Sequence, residues 1–164
     1  MRSTVHFLLV LLLSLPIVAQ TKSAKAKSTS VPDQALMQQI WDAWSTRDPA
    51  NAAKFYAKGP HVFFDIAPLK YESWKEYENG VKTVLAGFSS LKCMVNNDAQ
   101  IHPHGNLVWG TATVHVVEVK TDGTNGESDF RWTVVWEKQA GQWLIVHEHV
   151  SEPAGGGPPP EKKQ

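Results

Sequence analysis

The stretch that decides the fold is RWTVVWEKQAGQWLIVHEHVS, residues 131–151. Two runs rich in β-branched and aromatic residues flank residues 139–141, whose glycine suits the left-handed position of a three-residue hairpin turn. If Lys138 faces Gln142 across this turn, the even-numbered residues of both strands share one face. That face is apolar except for Glu148. We therefore expect it to pack against the core, while the odd-numbered face meets water, a ligand or another subunit.

Three helices are predicted ahead of this hairpin. Asp33 can cap a helix whose apolar residues recur every four positions up to Trp44. An aspartate–proline pair at 48–49 supplies the cap and first residue of a second helix, predicted to end near residue 57. Ser73 and Glu76 form a capping box at the start of a third helix, which carries one apolar face to residue 88.

Strands are predicted around and after the third helix. A short strand is expected at 61–66, and from Leu91 onward the apolar period of two predicts strands at 91–102, 106–120, 126–138 and 142–151, with a turn at 103–105. Helices followed by an antiparallel meander predict an α+β cone, one strongly curved antiparallel sheet with three N-terminal helices on its concave face. Such a cone leaves a cavity, walled by the third helix, the first strand and the even-numbered hairpin face.

One domain, 32–153, is predicted between two polar ends. Residues 1–19 combine a charge at Arg2, a short apolar run and small residues before Ala19, which is typical of a secretory signal peptide. The apolar run is short for a stable membrane anchor. Residues 20–31 and 154–164 lack apolar periodicity and are predicted to be a disordered linker and a disordered Gly/Pro tail. We expect export to the periplasm or the extracellular space.

Composition argues against several classes of function. The chain has 16 basic and 16 acidic residues, so it lacks the basic excess of a nucleic-acid-binding protein. Its single cysteine, Cys93, rules out an internal disulfide and is expected to be a buried, inert thiol. The sequence has neither a glycine-rich phosphate loop nor a Gly-x-Ser-x-Gly motif, and no cofactor is expected.

Several stretches resemble the nuclear transport factor 2-like superfamily, and within it the SnoaL-like proteins related to ketosteroid isomerase. The most specific are Phe64-Asp65, YESWKEY at 71–77, and 131–153, whose ending also resembles the association domain of calcium/calmodulin-dependent kinases. The resemblance covers about 33–153. It implies the cone fold, frequent homodimers formed through the sheet, and a pocket for a small molecule. It does not imply catalysis, because this fold hosts isomerases, cyclases, hydrolases, scaffolds and binders.

The isomerase constellation itself carries over poorly. That enzyme needs a carboxylate base and an oxyanion hole made by a tyrosine and a protonated aspartic acid. By resemblance Asp65 falls near the place of the base, but the first helix offers Trp41 and Trp44 where a tyrosine is wanted, and residues 108–117 hold no carboxylate. The resemblance therefore does not support steroid isomerisation by that mechanism.

Glu148 is the leading catalytic candidate, and Asp65 is the second. A carboxylate alone on an apolar face loses hydration, which raises its pKa towards the range where acid–base chemistry works at neutral pH. The alternative for Glu148 is that a bulge in the bent sheet turns it outward as an ion-pair partner. The alternative for Asp65 is a local cap on the turn that leads into Pro68.

The candidate ligand-binding residues form two groups. The residues predicted to form the aromatic wall of the cavity are Tyr71, Trp74, Trp109 and Trp132. The polar group on the odd-numbered face is Arg131, His147 and His149. Core packing is the alternative for the aromatic group, and a polar subunit interface is the alternative for the histidines. If the odd face instead lined the cavity, the polar group would form an anion pocket. Two imidazoles without a third ligand do not predict a metal site.

Two functions from different classes remain. The first is a secreted pocket protein that binds a small apolar or carboxylate-bearing molecule without turnover. The second is a cofactor-free isomerase, cyclase or hydratase that uses a pocket carboxylate as general acid or base. The sequence favours binding, since acid–base catalysis also needs a group that stabilises the developing charge.

Overall fold

A computed structural model of the protein describes residues 30–66 and 68–154. The predicted signal peptide, residues 20–29 of the predicted linker and residues 155–164 of the predicted tail lie outside the described residues. Within the described ranges, no helix is long and apolar enough to cross a membrane.

The three helices begin where their capping residues lie. Their bounds are α1 Gln34–Ser45, α2 Pro49–Ala52 and α3 Trp74–Leu85. The side chains of Asp33, Asp48 and Ser73 accept hydrogen bonds from backbone amides of the first turns, at 2.8, 3.0 and 3.3 Å. These amides have no partner within their helices, so the caps fix where each helix starts. The second helix is shorter than expected and continues as a 3₁₀ turn, Ala53–Phe55.

Six strands form one curved, open sheet in the order β1-β6-β5-β4-β2, with β3 also paired to β4. Their bounds are β1 Phe63–Phe64, β2 Phe88–Val95, β3 Gln100–His104, β4 Leu107–Lys120, β5 Asn125–Gln139 and β6 Gln142–Ser151. The sequence predicts a wholly antiparallel sheet. The observed sheet is mixed, because β1 runs parallel to β6. The predicted α+β cone is confirmed.

Several strand boundaries differ from the predictions, and the largest differences are at β2 and β3. The expected strand 91–102 is divided between β2 and β3 by a turn at residues 97 and 98. Asp98 in this turn accepts a hydrogen bond from the amide of Thr113 at 3.0 Å. The sequence His102-Pro103-His104 belongs to β3 and not to a turn. Proline is tolerated there because β3 pairs on one side only.

The turn of the last hairpin has two residues, not three. Ala140 and Gly141 both have positive φ angles, 47° and 79°, and Gln139 faces Gln142. Two positive φ angles match the twist of a type I′ hairpin. The shorter turn shifts the pairing of β5 and β6 by one residue from the predicted register.

A bulge in β6 then shifts the register by one residue more. Ile145 faces Trp136, but the next facing pair is His147 and Val135, so Val146 is the extra residue. The two shifts together return Glu148 to the inner face, opposite Val134. The prediction that Glu148 points inward is therefore confirmed. Before the bulge the prediction is wrong, because Ile145 is fully buried while Leu144 and Val146 are only half-buried.

The core lies between the helices and the inner face of β4, β5 and β6. Trp41 of α1 meets Trp132 of β5 edge to face, with 5.5 Å between ring centroids. Cys93 is buried, as expected, and burial raises the pKa of its thiol to about 11.

Candidate functional site

A cavity of about 300 Å³ lies between the helices and the inner face of the sheet. Most of its lining is apolar, and the aromatic part is Trp41, Trp44, Tyr77, Phe88 and Phe130. Helix α3 and the hairpin of β5 and β6 supply walls, as predicted. Asp65 and Ile66, just beyond β1, also line the cavity, and parts of α1, β2 and β4 complete the lining.

Glu148 is the polar centre of this cavity. It is 1% exposed, and it is the only charged residue that is buried in the described part of the chain. Its inward position follows from the register of β6, where the bulge at Val146 turns the side chain away from the outer face. An isolated carboxylate in such a place would be costly, so its partners decide how it behaves.

Three side chains hydrogen-bond the Glu148 carboxyl group. The Tyr56 hydroxyl donates to Oε1 at 2.9 Å, and Trp132 Nε1 donates to Oε2 at 2.9 Å. Tyr77 of α3 forms a third side-chain hydrogen bond with the carboxyl group. Behind Tyr56, Trp44 Nε1 donates to its hydroxyl oxygen at 2.9 Å. Consecutive hydrogen bonds polarise one another, so this chain of donors holds the carboxyl group firmly.

Burial raises the pKa of Glu148 to about 7. Loss of hydration disfavours the charged form, and it outweighs the hydrogen bonds from Tyr77, Trp132 and Tyr56, which lower the pKa. The nearby charge of Asp65 raises it further. This is the direction that the sequence predicts. At neutral pH the carboxyl group is therefore populated in both its protonated and its ionised form.

The two tyrosines at Glu148 stay neutral. Burial raises the pKa of Tyr56 and Tyr77 well above the ordinary value, and the negative charge of Glu148 raises both further. They therefore act as hydroxyl donors and not as bases over the physiological range.

Asp65 lines the same cavity, directly after β1. It is half-buried, and burial raises the pKa of its carboxyl group. Its Oδ1 also accepts a hydrogen bond from the amide of Ile66 at 2.7 Å. Asp65 thus faces the cavity and stabilises its own local turn at once.

The residues expected to form the aromatic wall do not line the cavity. Trp132 lies fully buried and hydrogen-bonds Glu148. Trp74 and Tyr71 are core residues, packed on Tyr56 and Tyr77 with 4.4 and 5.1 Å between ring centroids. Core packing is the alternative role of aromatic residues, and Tyr71, Trp74 and Trp132 all have that role.

Trp109 lies on the outer face of the sheet, away from the cavity. It is 45% exposed, and the ring of His102 stacks on it with 3.9 Å between centroids. It faces Val135, an odd-numbered residue of β5, so its side chain cannot reach the inner face.

The polar group also lies on the outer face. His147 Nδ1 donates to the carbonyl oxygen of Val62 at 2.8 Å, and its ring packs edge-on against Phe64. His149 packs against the same ring, and Arg131 donates to the carbonyl oxygen of Glu152. The anion pocket that these residues would form inside the cone is therefore absent from the described cavity. Among the described residues, no three His, Cys, Asp or Glu side chains are grouped to hold a metal ion.

Sequence reasoning missed Tyr56 and Tyr77 as partners of Glu148. Tyr77 lies on the apolar face of α3 that the sequence marks, but nothing in that pattern points to its hydroxyl group. Tyr56 is 92 positions from Glu148 and follows the 3₁₀ turn, where no periodicity predicts a direction.

An open cone that is covered by helices, with an apolar cavity between helices and sheet, is the nuclear transport factor 2-like fold. Among proteins with this fold, the chain belongs to the SnoaL-like domain family, whose model matches residues 34–155. A comparison with functionally curated proteins gave no match.

Solved structures share the fold at low sequence identity. A nuclear transport factor 2-like superfamily protein from Salmonella enterica serovar Typhimurium is 22% identical, with a TM-score of 0.65 over 76% of this chain and 93% of that chain. The association domain of the Caenorhabditis elegans calcium/calmodulin-dependent kinase II is 16% identical, with a TM-score of 0.58 over 72% and 91%. A candidate scytalone dehydratase from Novosphingobium aromaticivorans is 12% identical, with a TM-score of 0.64 over 76% and 92%. At such identities the likeness shows the fold alone.

Proposed function

We propose that the protein is an exported binding protein whose cavity takes a compact, largely apolar small molecule without chemical turnover. The observation that carries this proposal is the cavity of about 300 Å³ with aromatic and aliphatic walls. A cavity with apolar walls binds a ligand because the apolar surface of the ligand leaves water. A few fixed polar groups then orient the ligand. Glu148 is the fixed polar group at this site.

The hydrogen bonds of Glu148 favour binding over turnover. Acid–base catalysis needs donors aimed at the charge that develops on the substrate. Here the hydroxyl of Tyr56 and the indole N–H of Trp132 already donate to the two oxygens of Glu148. These donors hold the carboxyl group in place and are not directed at a ligand.

The outer position of Arg131, His147 and His149 removes carboxylate-bearing ligands from the proposal. These were the residues that would recognise a carboxylate-bearing molecule, and they lie across the sheet from the cavity. Among the described residues lining the cavity, Lys120 is the single basic one, and it is exposed.

Native mass spectrometry of protein purified from its own host tests the proposal. We expect a species heavier than the chain by the mass of one small molecule. Val84→Trp narrows the mouth of the cavity and should remove this species, whereas Val62→Trp, at an exposed position that does not line the cavity, should keep it. A wild-type chain that carries no ligand, and whose thermal stability does not rise with any small apolar compound, would contradict the proposal.

A second candidate function is cofactor-free acid–base catalysis. The observation that favours it is the pKa of about 7 for Glu148, in a cavity that Asp65 also lines. Structures with this fold include candidate dehydratases from Streptomyces avermitilis and Novosphingobium aromaticivorans. If Glu148 moves protons, the copurified ligand should exchange carbon-bound hydrogen in heavy water. Glu148→Gln should stop this exchange without loss of binding, and Glu127→Gln, an exposed residue outside the cavity, should not change it.

Export is supported by the pattern of residues 1–19. Intact-mass measurement on protein from the native host should show a chain that has lost its first 19 residues. A full-length species confined to the cytoplasm would contradict export.

A further inference from the structure

The polar lining of the cavity is strongly biased towards negative charge. Four carboxyl side chains line it: Asp65, Glu118, Glu148 and Glu152. The three ion pairs found among the described residues involve none of them. Lys120 is the one basic lining residue in the described chain, and its exposed ammonium group is hydrated by solvent. The cavity therefore holds several acidic groups and little to neutralise them.

These carboxyl groups differ in depth. Glu152 is exposed, Glu118 and Asp65 are half-buried, and Glu148 is fully buried. Because a low-dielectric enclosure screens charge less than water does, the potential of the inner groups is felt most strongly inside the cavity. A positively charged group in the cavity is therefore attracted by exposed, half-buried and fully buried carboxyl groups.

Aromatic rings line the same space. Trp41 and Trp44 of α1, together with Phe88 and Phe130, contribute to its walls. An aromatic face attracts a cation through its quadrupole, and the attraction strengthens when water is excluded. An apolar wall also argues against a bare metal ion, which needs several oxygen ligands at once.

We propose that the ligand of this cavity is an organic cation, a protonated amine carried on a small apolar body. The inference rests on the proposed function, because it names the class of ligand that the binding cavity takes. The aromatic and aliphatic walls hold the body, and the carboxyl groups, which form none of the ion pairs found among the described residues, compensate the ammonium charge.

Binding of such a ligand depends on pH through Glu148. The titratable groups that face Glu148 are Tyr56, Tyr77 and Asp65, and none of them supplies a positive charge. An ammonium group would supply it and would favour the ionised carboxylate, so binding releases a proton from the protonated fraction. With the pKa of Glu148 at about 7, affinity for the amine should fall by about tenfold between pH 8 and pH 6.

Three probes with the same ring separate charge from shape. They are 2-phenylethylamine, 2-phenylethanol and 3-phenylpropionate, titrated into the exported protein by calorimetry at pH 8. We expect the amine to bind at least tenfold more tightly than the alcohol, and the carboxylate to bind most weakly. Between pH 8 and pH 6 the amine should weaken by about tenfold, while the affinity for the alcohol should stay constant.

Three glutamate-to-glutamine variants test which carboxyl groups cause the preference for the amine. Glu148→Gln should remove the pH dependence and most of the preference for the amine over the alcohol. Glu118→Gln, on the half-buried part of the wall, should reduce that preference by a smaller factor and tests the same point if the first variant folds poorly. Glu127→Gln, exposed and outside the cavity, should leave both affinities unchanged.

The outcomes distinguish this inference from the proposed function. Alcohol or carboxylate binding as tightly as the amine would overturn the charge preference and leave the apolar binding cavity standing. Binding of none of the three probes would contradict the binding cavity, and the inference with it.

Discussion

At Glu148 two opposing effects act on one carboxyl group. Burial removes water from the charged form, while Tyr56, Tyr77 and Trp132 donate hydrogen bonds that favour it. Burial is the larger effect, and the balance leaves the pKa at about 7. A residue with this balance responds to small changes in its surroundings, and carboxyl groups with such perturbed pKa values cluster at functional sites.

The pKa of Glu148 predicts how its substitution changes stability with pH. The folded pKa of about 7 lies above the ordinary value of 4.5. Glu148 therefore contributes fully to the free energy of unfolding below pH 4.5, where it is protonated in both states. This contribution is lost as pH rises through 7. Glu148→Gln removes this dependence. Relative to the wild type, the variant should gain about 2 to 3 kcal/mol between pH 5 and pH 8.

At low pH the same variant should be less stable than the wild type by about 1 to 3 kcal/mol, because one amide oxygen cannot accept all the available hydrogen bonds. At pH 7 the two effects leave it neutral or stabilised. Urea denaturation of both proteins at pH 5, 7 and 8 measures the difference in free energy of unfolding at each pH. Asp65 titrates in both proteins, so it enters the difference only through its coupling to Glu148. Parallel pH profiles for the two proteins, or a normal carboxyl pKa in an NMR titration of Glu148, would show that the group is not desolvated.

The sequence could indicate Glu148 but not its partners. An acidic residue alone on an apolar face is visible in the alternation of one strand. The hydroxyl of Tyr56 reaches it across 92 positions, and such a contact exists only once the chain has folded. The sequence cannot tell whether Trp74 and Trp132 line the cavity or lie behind its wall, because periodicity gives the face of an element and not the depth at which a side chain ends.

Among the elements, the hairpin of β5 and β6 shows how two errors in register can leave a residue on the predicted face. The turn is one residue shorter than expected, and the bulge at Val146 shifts the pairing by one residue more in the same direction, so the total shift of two residues keeps Glu148 on the inner face. A bulge carries no reliable sequence signal in a strongly bent sheet. The inner position of Glu148 was thus predicted correctly by an argument that fails at Ile145.

The turn of this hairpin predicts a stabilising substitution. Ala140 has a φ of 47°, which crowds its Cβ atom, and type I′ turns prefer asparagine before glycine. Ala140→Asn should raise the free energy of unfolding by about 0.5 to 1 kcal/mol. Chemical denaturation measures it, with Ala140→Val as the matched control that should destabilise. A stabilised valine variant would mean that the turn has another conformation.

The cap of α3 predicts a loss of stability. The Ser73 hydroxyl accepts from the Glu76 amide, and Glu76 accepts in return from the amide of Glu72, one residue before the cap. Ser73→Ala should lower the free energy of unfolding by about 1 kcal/mol, since an amide loses its acceptor. Ser73→Asn keeps an acceptor and should stay close to the wild type. An unchanged denaturation midpoint in the alanine variant would mean that the helix starts elsewhere.

For the whole molecule, the order of elements was enough to predict the cone. A meander of long alternating strands must bury one face, and the amphipathic helices ahead of it are the part of the chain that can cover it. The size and lining of the cavity could not be predicted, because they depend on how closely α1 and α3 approach the sheet.

We propose that the protein is a homodimer formed through the outer face of the sheet. Trp109 and Leu107 are 45% and 46% exposed there, and exposed aromatic groups on a sheet favour a symmetric contact. Light scattering at micromolar concentration should show a dimer. Trp109→Ala should weaken it, whereas Leu69→Ala, exposed in the loop before α3, should not. A wild-type protein that is monomeric at these concentrations would contradict the dimer.

The indole N–H resonances of the ¹⁵N-labelled protein, titrated with 2-phenylethylamine, test the binding cavity most directly. Trp41 and Trp44 line the cavity, Trp132 hydrogen-bonds Glu148, and Trp109 lies on the outer face as an internal control. We expect saturable shifts at Trp41, Trp44 and Trp132, with Trp109 unchanged. Shifts confined to Trp109, or no shift at millimolar ligand, would contradict a small-molecule site inside the cone.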